Sequence, residues 1–305
     1  MEINKVYQGD SAVLLKEIPN NFIDLTVTSP PYDNLRDYKG YSFNFETIAK
    51  ELYRVTKDGG VVVWVVGDAT INGSESGSSF RQALFFMECG FNLHDTMIYG
   101  KNAMPFPESN RYNQCFEYMF VLSKGKPNTF NPLKEKTVHK KRTWSSTRNS
   151  DGSMSRMKYE MGKEQRNRFN VWFYNVGFMQ STKERYAFEH SAMFPEQMAE
   201  DHILSWSNKG DLVFDPFAGS GTTLKMTQLM GRNYLGFEIA EEYIPLINKR
   251  LRQKPIDHFL SYSSEANASS SANAESLIGI KRESNDSPNL SKAQTSLNSD
   301  IIRNG

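Results

Sequence analysis

Cysteine is scarce: the 305 residues contain two, Cys89 and Cys115, neither in a Cys-x-x-Cys pair nor near a histidine cluster. That excludes a disulfide-stapled scaffold, argues against a zinc site and fits a reducing compartment. Long apolar runs are missing too. The longest, Val61–Val66, is far too short to span a bilayer, and the N-terminus carries no basic-then-apolar signal pattern. The expectation is a soluble, cytoplasmic protein without a membrane partner. Charge of one sign is also lacking. With 36 Lys and Arg against 35 Asp and Glu, the formal charge is +1, so any nucleic-acid surface must come from local clustering.

What is present can hold one large α/β domain carrying an insertion, or two small domains. Hydrophobic residues make up 38%, enough for a proper core. Ile3–Gly9, Phe22–Val27, Val61–Val66, Asn92–Tyr99, Glu117–Leu122, Asp211–Phe214 and Tyr234–Phe237 read as strands. Between them lie helical stretches: one from Ser11 to Glu17, Phe45–Val55 stopped by Gly59-Gly60, about Phe80 to Cys89, one with Pro195 at its first position, one running to about Met230, and Glu241–Leu251. Strands alternating with helices predict a doubly wound, mostly parallel sheet of the Rossmann-like kind.

The most informative stretch is Thr28-Ser29-Pro30-Pro31-Tyr32. Two prolines cannot continue a strand, because neither has an N–H for the ladder, so the chain leaves the sheet stiffly with Ser29 held extended. The Ser29 hydroxyl, the Pro30 carbonyl and the Tyr32 ring then share one small space. Two acceptors beside a stacking surface suit a planar ring with an exocyclic amine, such as a nucleobase. An ordinary Pro-Pro turn with an incidental tyrosine is the competing reading.

A second motif, Asp215-Pro216-Phe217-Ala218-Gly219-Ser220-Gly221-Thr222-Thr223, is a strand, a Gly-rich turn and a helix start, and Glu238 closes the next strand. Gly219 and Gly221 let backbone approach a ligand, the helix start offers free N–H groups, and an acid about twenty residues on suits a ribose diol. Two familiar signatures are incomplete here. Leu224 stands where a nicotinamide fingerprint has its third glycine, and no Gly-Lys-Ser/Thr follows. What remains is an adenosine-type ligand without a well-cradled pyrophosphate, and S-adenosylmethionine fits. Phe217 either packs on the adenosine and near the sulfonium or fills the core. Asp10, at the end of the first strand, either accepts hydrogen bonds from a ligand or caps the following helix.

From about Lys124 to Tyr186 the periodicity breaks and basic residues gather. Eleven lie between Lys134 and Arg168 against four acids, with Trp144, Tyr159, Phe169, Trp172, Phe173 and Tyr174 among or just after them. That mixture suits phosphate and base-edge contacts, against a solvated irregular insertion as the alternative. Residues 261–305 are rich in Ser, Asn and Ala with one aromatic, Tyr262, and read as disordered.

Together these residues resemble the DNA amino-methyltransferases, which methylate exocyclic nitrogen. The family's Asp/Ser/Asn-Pro-Pro-Tyr appears as Ser29–Tyr32, and its donor-binding pattern as Phe214–Thr222. His190-Ser191-Ala192-Met193-Phe194-Pro195 is similar to the segment that closes over the methionine part of the donor. Catalytic loop first, then insertion, then donor loop, is the order of the family's β group. The resemblance implies a catalytic half at 1–123, a target-recognition insertion at 124–186, a donor half at 187–255 and a tail at 256–305. It implies Ser29, Pro30, Pro31 and Tyr32 as catalytic residues acting on a base flipped from double-stranded DNA. Donor contacts would come from Asp10, His190, Phe194, Asp215, Phe217, Gly219, Gly221, Thr222 and Glu238, with no metal. Serine at position 29 points to cytosine N4 ahead of adenine N6. Methylation at ring carbon 5 is rejected, since neither cysteine follows a proline. RNA or protein methylation, and a binding module without chemistry, stand as alternatives. A restriction–modification setting is expected, with a cognate endonuclease and a second copy of the chain as further partners.

Overall fold

The run Val61–Val66 lies at the heart of the structure, a computed structural model describing residues 1–31, 43–102, 110–137, 145–157, 164–189 and 193–253. The expected tail at 256–305 lies outside those residues. The first elements are β1 (Lys5–Gln8), α1 (Ser11–Leu14), β2 (Ile23–Thr28), α2 (Phe45–Val55) and β3 (Thr56–Val66). There follow β4 (Thr70–Ile71), β5 (Ser74–Glu75), α3 (Ser78–Glu88), β6 (Asn92–Lys101) and β7 (Phe116–Ser123). Next come β8 (Lys134–Lys136), β9 (Ser145–Arg148), β10 (Met154–Met157), β11 (Gln165–Asn167) and β12 (Val171–Tyr174). The chain continues through α4 (Glu196–Trp206), β13 (Leu212–Asp215), α5 (Thr222–Leu229), β14 (Asn233–Glu238) and α6 (Ile244–Leu251).

Among the described residues, eight strands form the central sheet in the order β1-β14-β13-β2-β3-β7-β6-β12. Only β7 runs against its neighbours; all other pairings in this sheet are parallel. Alternation along β3 explains why the strand is apolar throughout. Val62, Trp64 and Val66 enter a core covered by α2 and α3, through Leu52, Ala83 and Phe86. Val61, Val63 and Val65 enter the opposite core, covered by α4 and α5 through Met198, Ile203 and Met226. A strand buried on both faces has no polar side to show. The doubly wound, mostly parallel architecture is as the sequence predicts.

Three local expectations are corrected. Gly59-Gly60 does not stop α2, which ends at Val55, where Thr56 turns extended and its hydroxyl donates to Leu52 O at 2.6 Å. The glycines sit inside β3 at a register shift opposite β2. Gly59 has φ +79°, and a Cβ on Gly60 would lie 2.7 Å from the Thr56 side chain and 3.0 Å from the Asp24 carbonyl. Pro195 is the extended cap residue before α4, not its first helical residue. β12 lies within the stretch expected as an irregular insertion, yet it pairs with β6 as the outer strand of the main sheet.

Helix α4 also buries a histidine. His202 is fully enclosed, 4.8 Å from Trp172 ring to ring, with Nε2 3.2 Å from Met119 Sδ. Burial pushes its pKa down to about 3, and Arg168 adds to the shift. The folded protein therefore keeps His202 neutral, while the unfolded chain takes up the proton below its ordinary 6.5. Stability from this group is present above pH 6.5 and is lost as pH falls toward 3. Urea unfolding at pH 7.5 and 5.0 should show wild type losing on the order of 2 kcal/mol more than His202→Leu across that interval. Equal losses in the two proteins would refute it.

Candidate active site

β2 and β13 are parallel neighbours, with Leu25 opposite Val213 and Thr26 opposite Phe214. Their carboxyl ends therefore open side by side, and the motifs that follow them begin together. Thr28, the last residue of β2, donates from Oγ1 to Oδ1 of Asp215, the last residue of β13, at 2.6 Å. The same oxygen accepts from the Phe217 N–H at 3.0 Å, folding the chain back over itself. A second tie runs the other way, from Thr223 Oγ1 to the Val27 carbonyl at 3.0 Å. Beyond Thr28, Ser29 and Pro31 are half-buried and Pro30 is buried. Tyr32 lies outside the described residues, as does His190. Burial raises the Asp215 pKa to about 6, with the bonds from Thr28, Phe217 and Thr223 opposing the rise and the Glu238 charge adding to it.

The Gly-rich loop is pinned from the adjoining strand end as well. Glu238 accepts from Gly219 N–H at 2.7 Å and from Ala240 N–H at 2.9 Å, and Ala218 N–H donates to the Phe237 carbonyl at 2.8 Å. Burial raises the Glu238 pKa, against the backbone N–H groups that lower it. At the end of β1, Gly9 N–H donates to the Glu238 carbonyl at 2.9 Å, and the Ser11 hydroxyl donates to the Pro216 carbonyl. The ends of β1, β14, β13 and β2 thus form one continuous rim. Asp10 stands on it, exposed, and caps α1 by accepting from Ala12 N–H at 2.8 Å.

Several expected donor contacts have structural work as well. Phe217 is half-buried and meets Phe43 and Trp64 edge to face at 5.6 and 6.1 Å. Phe194 packs on the core beneath α4. Thr222 is buried, its hydroxyl accepting from Arg250 at 3.0 Å. Gly219 and Gly221 both have positive φ, at 52° and 78°. At Gly221 a Cβ would also lie 2.9 Å from Ile247, so α6 rather than a ligand makes the close approach there. The missing third glycine is accounted for by inversion. Leu224 is fully buried, and the space it needs is supplied by Gly236 on β14, where a Cβ would lie 2.4 Å from Leu224 Cδ1.

The rim fits an adenosine-bearing ligand: an acid ending β14, a half-buried aromatic, an exposed acid ending β1 and a tight Gly turn. Among the described residues there is no cluster of three metal-ligating side chains, and no helix is long and apolar enough to cross a membrane. Sequence reading missed the bonding roles of Thr28, Thr223 and Ser11. The first two lie inside the quoted motifs, but a lone hydroxyl carries no signal of its partner.

Residues 23–249 match the family described as DNA methylase, N6_N4_Mtase. The orphan methyltransferase M.BamHII of Bacillus amyloliquefaciens is 59% identical over 241 residues, covering 77% of this chain and 91% of that protein. The type II methyltransferase M.SmaI of Serratia marcescens is 27% identical over 294 residues, covering 82% and 91%. Among solved structures, the PvuII DNA methyltransferase (cytosine-N4-specific) aligns with a TM-score of 0.58 at 20% identity, covering 83% of this chain and 88% of that one. The M1.HpyAVI–SAM complex aligns at 0.54 with 20% identity, covering 81% and 99%. These structural likenesses establish the shared fold.

The Thr28–Asp215 bond is a donor to a buried carboxylate, a kind worth about 1.5 to 3 kcal/mol. Thr28→Val should lower unfolding free energy at pH 7.5 by that amount, and Thr28→Ser should restore most of it, as read by denaturant titration. A Val variant as stable as wild type would show that the two strand ends do not depend on this bond.

Proposed function

The chain belongs to the DNA methylase family, and from that premise we propose that it methylates the exocyclic N4 of cytosine in double-stranded DNA. S-adenosylmethionine is the donor, and it supplies an electrophilic methyl group on a sulfonium. The single observation that carries the reading is the junction of β2 with β13, where Thr28 and Asp215 bring Ser29-Pro30-Pro31 to the Gly-rich loop. Serine at position 29, where the family also uses aspartate, favours cytosine.

The chemistry follows from what the chain supplies. An exocyclic amine is a poor nucleophile because its lone pair is delocalised into the ring. The Ser29 hydroxyl and Pro30 carbonyl, as acceptors of its two hydrogens, favour a pyramidal nitrogen and stabilise the positive charge that grows there. Tyr32 stacks on the extruded base. Glu238 takes the ribose hydroxyls, Phe217 and Asp10 flank the adenine, and Asp215 holds the loop in shape. A cysteine nucleophile has no part. Cys89 caps the carboxyl end of α3, and burial raises its thiol pKa.

We assign DNA recognition to the stretch between β7 and β12. Not every cation there is available to phosphate. Arg166 is bonded to Glu135 at 2.8 Å and stacked on Phe169, and Arg168 is bonded to Asp201 at 2.8 Å and stacked on Trp172. Lys134, Lys136, Arg148 and Arg156 remain exposed. β9 and β10 form an antiparallel ribbon whose pairing puts Arg148 opposite Met154 and Arg156 opposite Ser146, all four on one face. A two-stranded ribbon fits the major groove, where arginine reads guanine. The setting is DNA modification of the restriction–modification type, with a cognate endonuclease as the partner it protects against.

Ser29→Ala and Tyr32→Ala should each slow methyl transfer at least about a hundredfold while leaving donor affinity within a few-fold. Mass spectrometry of nucleosides from modified DNA should show N4-methylcytosine. N6-methyladenine instead would move the assignment to adenine, and full activity in either variant would overturn the catalytic roles.

A further inference from the structure

Behind the Gly-rich loop four charged side chains meet, three of them buried and Glu196 half-buried. Arg250 of α6 is fully enclosed. Its Nε donates to Glu184 Oε2 at 2.7 Å and its Nη2 to Glu196 Oε1. Lys225 of α5, 5% exposed, donates to Glu196 Oε1 at 2.7 Å and lies 3.2 Å from Glu184 Oε2. Two cations meet two carboxylates, so the cluster is neutral. Thr182 and Tyr186 add hydroxyl donors to Glu196 and Glu184, at 2.8 and 2.7 Å. Burial alone would raise the Glu196 pKa, but Lys225 and Arg250 beside it hold it below the usual carboxylate range.

The third nitrogen of Arg250 points elsewhere. Nη1 donates to the Ser220 carbonyl at 2.9 Å, and lies 3.0 Å from both the Ser220 and Thr222 hydroxyls. The peptide that carries the Ser220 carbonyl has its N–H on Gly221, which donates to the Ala218 carbonyl at 2.6 Å. That peptide is therefore held at both ends, one end by Arg250. The preceding turn is held by Glu238 on Gly219 from the opposite side. A guanidinium's rigid fork can serve carboxylates and a loop at once, and a lysine ammonium cannot reach all of them.

We propose that Arg250, set by Glu184, Glu196 and Lys225, is a positioning residue for the donor loop, and that it governs donor affinity rather than the transfer step. The inference rests on the reading of Asp215–Thr223 as the donor-binding loop. It assigns a function to α6, a helix the catalytic chemistry does not touch. It also explains why Glu184 and Lys225 are kept buried, with Glu196 half-buried beside them, where an apolar cluster would fill the space more cheaply.

The test compares wild type with Arg250→Lys, and with the loop-side variant Ser220→Ala, which removes one Arg250 contact and leaves the four charges in place. Donor binding is measured with S-adenosylmethionine alone, duplex binding separately, and kinetics at varied donor. Arg250→Lys should raise donor Kd and KM at least tenfold, leave duplex Kd within twofold, and lower kcat at saturating donor by much less. The loop-side variant should raise donor Kd in the same direction with little change in Tm, and it decides the matter if Arg250→Lys does not fold. A lower Tm for Arg250→Lys with donor Kd unchanged in both variants would overturn the proposal, leaving the cluster a purely structural one. Failure of wild type to bind S-adenosylmethionine would overturn the functional reading itself, and this inference with it.

Discussion

One hydrogen bond, from Thr28 to Asp215, joins residues 187 positions apart and holds the ends of β2 and β13, and so the starts of the two motifs, together. Neighbouring parallel strands lie about 4.8 Å apart, so two loops leaving adjacent strand ends start within one side chain of each other. The bond converts that nearness into a defined geometry. It requires a carboxylate with 1% exposure, whose pKa burial lifts to about 6. Thr28 and the Phe217 N–H offset that burial, since each lowers the pKa again by bonding the ionised form. The Asp-Pro-Phe turn and the Thr-Ser-Pro-Pro exit are thus two halves of one interaction, although each reads as a separate motif in the chain.

Much of the fold was legible because burial on both faces leaves a plain mark. Val61–Val66 could be nothing but an interior strand, and α2 was recovered as Phe45–Val55 from the spacing of Ile48, Leu52 and Val55. What failed was punctuation whose meaning depends on a neighbour. Gly59-Gly60 follows a helical stretch and looks like a stop, but its lack of Cβ atoms answers to Thr56 and the Asp24 carbonyl across the sheet. β12 lies within a basic, irregular stretch. Its alternation of exposed and buried residues over four positions is too short to read without β6 beside it.

The site divides in the same way. Both motifs and Glu238 were legible because Gly-rich turns and acids at strand ends have a local reason to be there. The division of labour within the loop was not. Gly221 was read as room for a ligand, whereas Ile247 fills that side. Arg250 was invisible: Lys249-Arg250 in the last turn of a helix is what any exposed helix end carries to meet its macrodipole. In the structure the two part company. Lys249 lies over the Tyr186 ring at 3.9 Å, while Arg250 turns inward and is lost to solvent entirely.

The charges around the loop are then distributed with a consistent sense. On the far side the carboxylates of Glu184 and Glu196 are matched by Arg250 and Lys225. On the rim, Asp215 and Glu238 are held by hydroxyl and N–H donors, and both have pKa values raised by burial. Hydrogen bonds satisfy lone pairs without cancelling net charge, so Asp215, ionised above about pH 6, keeps on the rim a negative charge that the neutral cluster behind it does not offset. Under the proposed function the ligand arriving there carries a sulfonium, and the same ligand after transfer is a neutral thioether. A rim that is negative at neutral pH favours the first over the second. The loop's shape comes from the compensated side and its preference from the uncompensated one.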